Sequence, residues 1–391
     1  MYMKFAIYII KLVYMAFCHG QLSCFMKFFR RFCSNDAHVY GKLKNEGACN
    51  MHSNNEKILP IKPPFAKCYP TDTYLLSVLL NNEDAKSWIF NQHINLYGYI
   101  TKEKWIYQAY SLNDYRKSCP FLSFSQIIAK GLISSFGGVS NLIKSCILEG
   151  YYVISQYDQY YIPLSSNYNK WNTVHELFIY GYESSEKSFL VADFFTLSGL
   201  SFGRVSSDAL EQAIWNVPSE EFRIDILKLI DYEYKFDIKL LQKELVDYLN
   251  STKTVFCYED NTLTLDESDR LRKNEFVFGE NNYDLICNLL LHLIDVFNTI
   301  DKGDYHGIMF RVIRSAHIFY SHKIFMNRRL TFLYENKIIT HSLFYDEYHE
   351  VESLCLITRN MLIKCSQSRN IKLLAKAIEN YNTSYAFLKV G

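Results

Sequence analysis

The stretch that decides the fold runs from residue 151 to 195. It opens with Tyr151-Tyr152-Val153-Ile154-Ser155-Gln156-Tyr157 and a short Tyr160-Tyr161-Ile162-Pro163. It then continues with His175-Glu176-Leu177-Phe178-Ile179-Tyr180-Gly181-Tyr182, a polar turn over residues 183–187, and Ser188-Phe189-Leu190-Val191-Ala192-Asp193-Phe194-Phe195. Runs of β-branched and aromatic residues bounded by polar turns predict strands. The last two are spaced as the arms of a hairpin, so this segment predicts an antiparallel sheet.

Outward from it the period changes. Upstream, residues 56–67 form a Pro-punctuated extended entry, because each Pro disfavours helix in the residue before it. Tyr74, Leu75, Val78 and Leu79 then recur at helical spacing, with Thr71 or Asp72 as the cap. Further helices are expected over 83–97, over 123–135, and from Ser140 to Leu148 after the Gly137-Gly138 break. Downstream of Ser206, helices are expected over 207–215, 238–249, 282–300, 307–327, 344–364 and 370–381. Helices first, then strands, then helices again imply an α+β chain. The expected domains are 56–204, α+β, and 205–391, mostly helical.

Residues 1–50 differ from the rest. Lys4, Lys11, Lys27, Arg30, Arg31, Lys42 and Lys44 stand there against only Asp36 and Glu46. Residues 1–55 are therefore expected to be a basic, disordered or non-essential extension. The apolar run from Phe5 to Cys18 is shorter than the roughly 20 residues a bilayer-spanning helix needs. Membrane-surface contact through residues 1–31, or a secretory signal with a poor cleavage region, are the less favoured alternatives. The whole chain has a formal net charge of +1, which gives no general electrostatic reason to expect nucleic acid. Its 11 Cys show no regular spacing and no CxxC, so a reducing, cytoplasmic setting is expected rather than a disulfide framework. The histidines after residue 290 never fall at i, i+4, so no metal is expected. Nothing in the sequence calls for a cofactor.

One constellation carries chemistry. Cys68 directly precedes a helix, where exposed N–H groups and the helix dipole stabilise a thiolate and a developing oxyanion. His175 opens a strand and Asp193 lies on its hairpin partner. A thiol at a helix N-terminus, a His to move its proton and an Asp to orient the His follow the logic of thiol acyl transfer. The bland alternatives are a small buried Cys, a strand-start polar His and a strand-end Asp. Asp158 is a candidate for binding a substrate amine, or a turn residue. Tyr161, with Tyr152, Tyr157 and Tyr160, is a candidate wall for such a substrate, or part of the core.

Lys67-Cys68-Tyr69, Leu75 to Asn81 and Trp88-Ile89-Phe90 resemble the start of the N-terminal domain typified by butirosin biosynthesis protein H. The likeness is closer over Tyr157-Asp158-Gln159-Tyr160-Tyr161-Ile162-Pro163, the His175-led strand with its Gly181-Tyr182 end, and Val191-Ala192-Asp193-Phe194-Phe195. It covers residues 60–200, and a looser likeness to helical halves of related peptide-antibiotic gene-cluster proteins continues through Arg314–Leu333 and the terminal helices. The resemblance implies a papain-like fold and, in bacterial antibiotic biosynthesis, transfer of an acyl group from a carrier-protein thioester to a small-molecule amine. By motif position it makes Cys68 the nucleophile, His175 the base and Asp193 the orienter. Lys67 and Ala66 stand where an oxyanion Gln is expected, and Tyr69-Pro70 follows the Cys where small residues are usual. The resemblance therefore also admits a non-catalytic scaffold with the same fold, and a cysteine peptidase or amidase. A docking patch for an acidic acyl carrier protein would have to be locally basic, for example Arg311, Arg314, Lys323, Arg328 and Arg329, unless these form a plain solvated helix face.

Gly199-Leu200-Ser201-Phe202-Gly203 matches G-x-S-x-G, but lacks a strand directly before it and a helix directly after, which a nucleophile elbow requires. It is expected to be a connector between the two domains.

Overall fold

The computed structural model describes residues 56–67, 69–92, 94–100, 106–109, 115–196, 199–252, 275–297, 299, 302–339 and 343–390. The expectations for residues 1–55 and the position of Cys68 lie outside the described residues. Strands are β1 Lys57–Ile58, β2 Tyr97–Ile100, β3 Ile106–Ala109, β4 Leu122–Ile127, β5 Tyr152–Asp158, β6 Val174–Glu183, β7 Ser188–Thr196, β8 Gly199–Ser206, β9 Ile224–Leu229 and β10 Val277–Phe278. The main helices are α1 Pro70–Leu79, α2 Ala85–Asn91, α3 Val139–Leu148, α4 Ser207–Trp215, α5 Ile238–Leu249, α6 Asn282–Val296, α7 Lys302–Glu335, α8 Leu343–Ser368 and α9 Lys372–Val390.

The main sheet has seven strands in the order β4-β9-β5-β6-β7-β8, with β1 also on β6. Every pairing is antiparallel. β5 and β1 lie along one side of β6 and β7 along the other, because β5 matches Val174 to Ile179 and β1 continues at Gly181 and Tyr182. The expected hairpin is present, closed at Glu183↔Ser188. The molecule is thus a mixed α/β chain, with an antiparallel sheet and a helical C-terminal region.

Four local expectations are corrected. Residues 123–135 are not one helix: Leu122–Ile127, whose first four residues alternate in polarity, pairs with β9, and a 3-10 helix follows over Lys130–Phe136. The helix expected over 83–97 ends at Asn91, and Tyr97 already belongs to β2. The Tyr160-Tyr161 piece is a 3-10 turn, Gln159–Tyr161, started by the Asp158 carboxylate accepting from the Tyr160 N–H. Gly199–Gly203 is no connector but the first part of edge strand β8, paired with β7 across a register shift between Asp193 and Thr196.

The main sheet continues past residue 204. β9, at residues 224–229, inserts between β4 and β5. Its Asp225 is flanked by Ile224 and Ile226, all three buried, as a central strand demands. Buried apolar side chains from Leu59 to Tyr381 form one connected core across sheet and helices. Long helix α7 holds the first half through backbone carbonyls. His322 Nε2 lies 2.7 Å from the Ile94 carbonyl. Arg329 donates to the carbonyls of Phe90 at 2.8 Å and Gln92 at 2.5 Å, at the C-terminal end of α2. Lys323 is fully buried, donating to the Tyr248 hydroxyl at 2.7 Å and facing the Tyr283 and Phe319 rings. Lys323 and Arg329 are therefore core residues and leave the expected basic docking patch. Among the described residues no single helix is long and apolar enough to cross a membrane.

Candidate active site

The β6–β7 ladder runs from Glu183↔Ser188 to Phe178↔Ala192. Just past its end lie His175 on β6 and Asp193 on β7. His175 Nδ1 is 3.0 Å from Asp193 Oδ2. A carboxylate only accepts, so Nδ1 carries the proton and, in the neutral ring, Nε2 keeps its lone pair. The Asp193 side chain is fully buried, whereas that of His175 is 33% exposed. The carboxylate is thus sealed in, while the imidazole is partly open to solvent.

Two tyrosines complete the carboxylate's partners. The Tyr157 hydroxyl, directly opposite His175 in the β5–β6 register, donates to Asp193 Oδ2 at 2.5 Å. The Tyr74 hydroxyl, from α1, lies 2.8 Å from Asp193 Oδ1 and 3.1 Å from the Glu176 carbonyl. The Phe194 N–H donates to Oδ1 at 2.6 Å. Four donors therefore converge on two buried oxygens, which is how a buried charge is made tolerable. Burial, and then the Asp193 charge, push both tyrosine hydroxyls well above the ordinary phenol range, so both remain donors. Burial works against an imidazolium at His175. The hydrogen bond and charge of Asp193, helped by Glu176, overcome it and raise the His175 pKa above its usual value.

The first turn of α1 is fastened beside this pair. Pro70 occupies the first helical position, where its missing N–H costs nothing and its fixed φ suits the helix. Tyr69, with extended backbone, stands at the cap position. The expected caps do other work: the Thr71 hydroxyl donates to Glu176 Oε2, one residue after His175. The other Glu176 oxygen accepts from Arg223 Nη2. Arg223 also pairs with Asp225 at 3.2 Å, and Arg116 with Asp225 at 2.7 Å. Gln126 donates to the second Asp225 oxygen at 2.7 Å. A two-arginine, two-carboxylate network thus ties α1, β4, β6 and β9 together.

Of the expected site residues, the structure brings His175 and Asp193 together. Cys68 lies outside the described residues; its chain neighbours are Lys67 and the capping Tyr69. Asp158 accepts from the Tyr160 N–H at 3.0 Å, the Thr173 N–H at 3.1 Å and Asn172 Nδ2 at 2.6 Å. Both its oxygens are used in holding the 3-10 turn that follows it and the chain entering β6, which is the structural alternative. Tyr161 is half-buried and edge-on to Tyr160, their ring centroids 5.0 Å apart. Tyr152 and Tyr157 are core residues.

Sequence reasoning missed Tyr74, Tyr157 as a carboxylate partner, and the Glu176 network. The signal for Tyr74 was present: it falls on the buried face of α1, and a buried Tyr needs a partner for its hydroxyl. Glu176 offered none, since a Glu beside a His at a strand start looks like solvated surface. Among the described residues no group of three or more His, Cys, Asp or Glu side chains is placed to hold a metal ion. No protein-family model matches the chain, and no curated protein matches it either.

Proposed function

We propose that the chain is a papain-like, cysteine-dependent acyltransferase-like protein of secondary-metabolite biosynthesis, with Cys68 as nucleophile, His175 as base and Asp193 as orienter. The observation that carries this is the 3.0 Å His175–Asp193 contact, with the acid buried and the base exposed. It is supported by the tethering of α1's first turn to Glu176, and by the resemblance in the residues around Cys68, His175 and Asp193. In the first half-reaction the Cys68 thiolate adds to the thioester carbonyl carbon, the carbonyl–sulfur bond breaks, and His175 returns the proton to the departing carrier thiol. In the second, an amine adds to the acyl-enzyme, His175 takes its proton, and the amide leaves as the Cys68 thiolate is restored. The five described cysteines, 119, 146, 287, 355 and 365, are free and buried, which suits a reducing compartment such as the cytoplasm.

The test is alkylation mapped site by site near pH 6 on the full chain. Burial pushes Cys119, Cys146 and Cys287 up to about 12 and raises Cys355 and Cys365, so these five compete poorly. Cys68 is expected to react at least about tenfold faster than any of them, and His175→Ala to remove that advantage. Equal rates would overturn the nucleophile and leave the papain-like scaffold as the better reading. With a reactive Cys68, release of free acid rather than amide from thioester and amine would indicate a hydrolase.

A further inference from the structure

The helical C-terminal region reaches the candidate thiol segment at one point. His317 of α7 places Nε2 2.6 Å from the carbonyl oxygen of Lys67, the residue before Cys68. Its Nδ1 is 3.3 Å from Arg359 Nη1 of α8. A guanidinium can only donate. Nδ1 is therefore the acceptor, and the proton sits on Nε2, aimed at the Lys67 carbonyl. Arg359 is itself steadied by two contacts to Asn360 Oδ1, at 3.2 and 2.8 Å. On the other side of Cys68, the Arg314 guanidinium lies over the Tyr69 ring, 5.2 Å from its centroid. Both chain neighbours of the thiol residue are thus held by side chains from α7.

We propose that His317 is a positioning residue: through its Nε2–H it fixes the Lys67 carbonyl, and so anchors the chain immediately before residue 68. This rests on the nucleophile reading for its catalytic meaning, although the hold on Lys67 can be tested without it. Helix α1 is fastened from the sheet side by Thr71 and Tyr74, and those contacts begin three residues after Cys68. The entry side has no regular secondary structure over residues 59–67. A donor from α7 supplies the second fixed point. Under the proposed function, two fixed points flanking residue 68 would hold its neighbours in register where one would not, and small misplacements at a reacting group are costly to rate.

Two substitutions of similar length separate the donor from the bulk. His317→Met keeps a long side chain without a donor; His317→Gln keeps an N–H that can reach the Lys67 carbonyl. The exposed Lys67 is a natural trypsin site, and cleavage after it requires that the peptide leave its anchored geometry. Site-mapped limited trypsinolysis of the full chain is expected to be about tenfold faster at Lys67–Cys68 in the Met variant and within about threefold of the parent in the Gln variant. Cys68 alkylation is expected to fall about tenfold in the Met variant alone, with the pH at which His175 titrates by NMR unchanged. Met and parent chains cleaved equally at this bond, or Gln behaving as Met does, would overturn the proposal. A parent Cys68 no more reactive than the buried cysteines, with the cleavage difference still present, would sink the nucleophile reading and leave His317 as an anchor of Lys67. Should the Met variant fail to fold by circular dichroism, the Gln variant and Arg359→Met, which removes the group that fixes the His317 tautomer, carry the same two readouts.

Discussion

Asp193 shows how one side chain can fix the state of another. Phe194 cannot rearrange its backbone N–H, so Oδ1 must remain an acceptor. In Asp193→Asn the amide oxygen stays there, and the NH2 group turns toward Tyr157 and His175. Tyr157 can rotate its hydroxyl away, but His175 must surrender the Nδ1 proton and hold it on Nε2, the nitrogen that the proposed reaction uses as base. The proposed acyl transfer is expected to drop about 10³–10⁴-fold with the backbone unchanged, as measured by single-turnover kinetics alongside ¹⁵N NMR of the imidazole tautomer. His175 and His317 also answer pH in opposite senses. Asp193 raises the His175 pKa above the unfolded value, so that pair stabilises the fold most fully below about pH 6.5 and loses this as pH rises through the folded pKa. Burial, and then Arg359, lower the His317 pKa, against the effect of its Lys67 hydrogen bond. Its contribution is present above about pH 6.5 and is lost as pH falls through the folded pKa. Urea midpoints of His175→Ala and His317→Ala, taken from pH 5 to 8, are expected to diverge from the parent at opposite ends of that range.

Among the elements, α7 bears most on how the halves meet. Arg329 is almost fully buried and satisfies carbonyls that α2 leaves open at its C-terminal end. Arg329→Met fills the space but strands two carbonyls, and is expected to cost about 2–4 kcal/mol in denaturant unfolding. The sequence could not show this, because an Arg in a helix looks the same whether it faces water or a neighbouring helix end. By contrast, α4 and α5 were legible residue for residue, since their caps Ser206 and Asp237 and their apolar spacing are local signals. The β6–β7 hairpin was legible for the same reason, and with it the pairing of His175 and Asp193. Strand β4 was lost to a helix assignment although Leu122-Ser123-Phe124-Ser125 alternates with period two. Strand β9 was missed because its partners lie about 70 and 100 residues away, and a short run such as Ile224–Leu229 acquires meaning only from the strands on each side of it.

At the scale of the whole molecule, one core joins sheet and helices, and α7 grips three separate points of the first half. Sheet and helices are therefore expected to melt together: far-ultraviolet and near-ultraviolet circular dichroism should give coincident transitions, whereas two separated transitions would mark independent units. The position of β9 has a consequence for how the chain is made. While residues up to about 215 emerge from a ribosome, β5–β8 can pair, but β4 has no neighbour and β5 presents an open edge. Both are satisfied only when residue 229 has appeared and slides between them. The nascent protein thus passes through a stage in which β4 is cut off from the rest of its sheet, and its exposure to misassociation is set by how quickly translation covers the interval between β8 and β9.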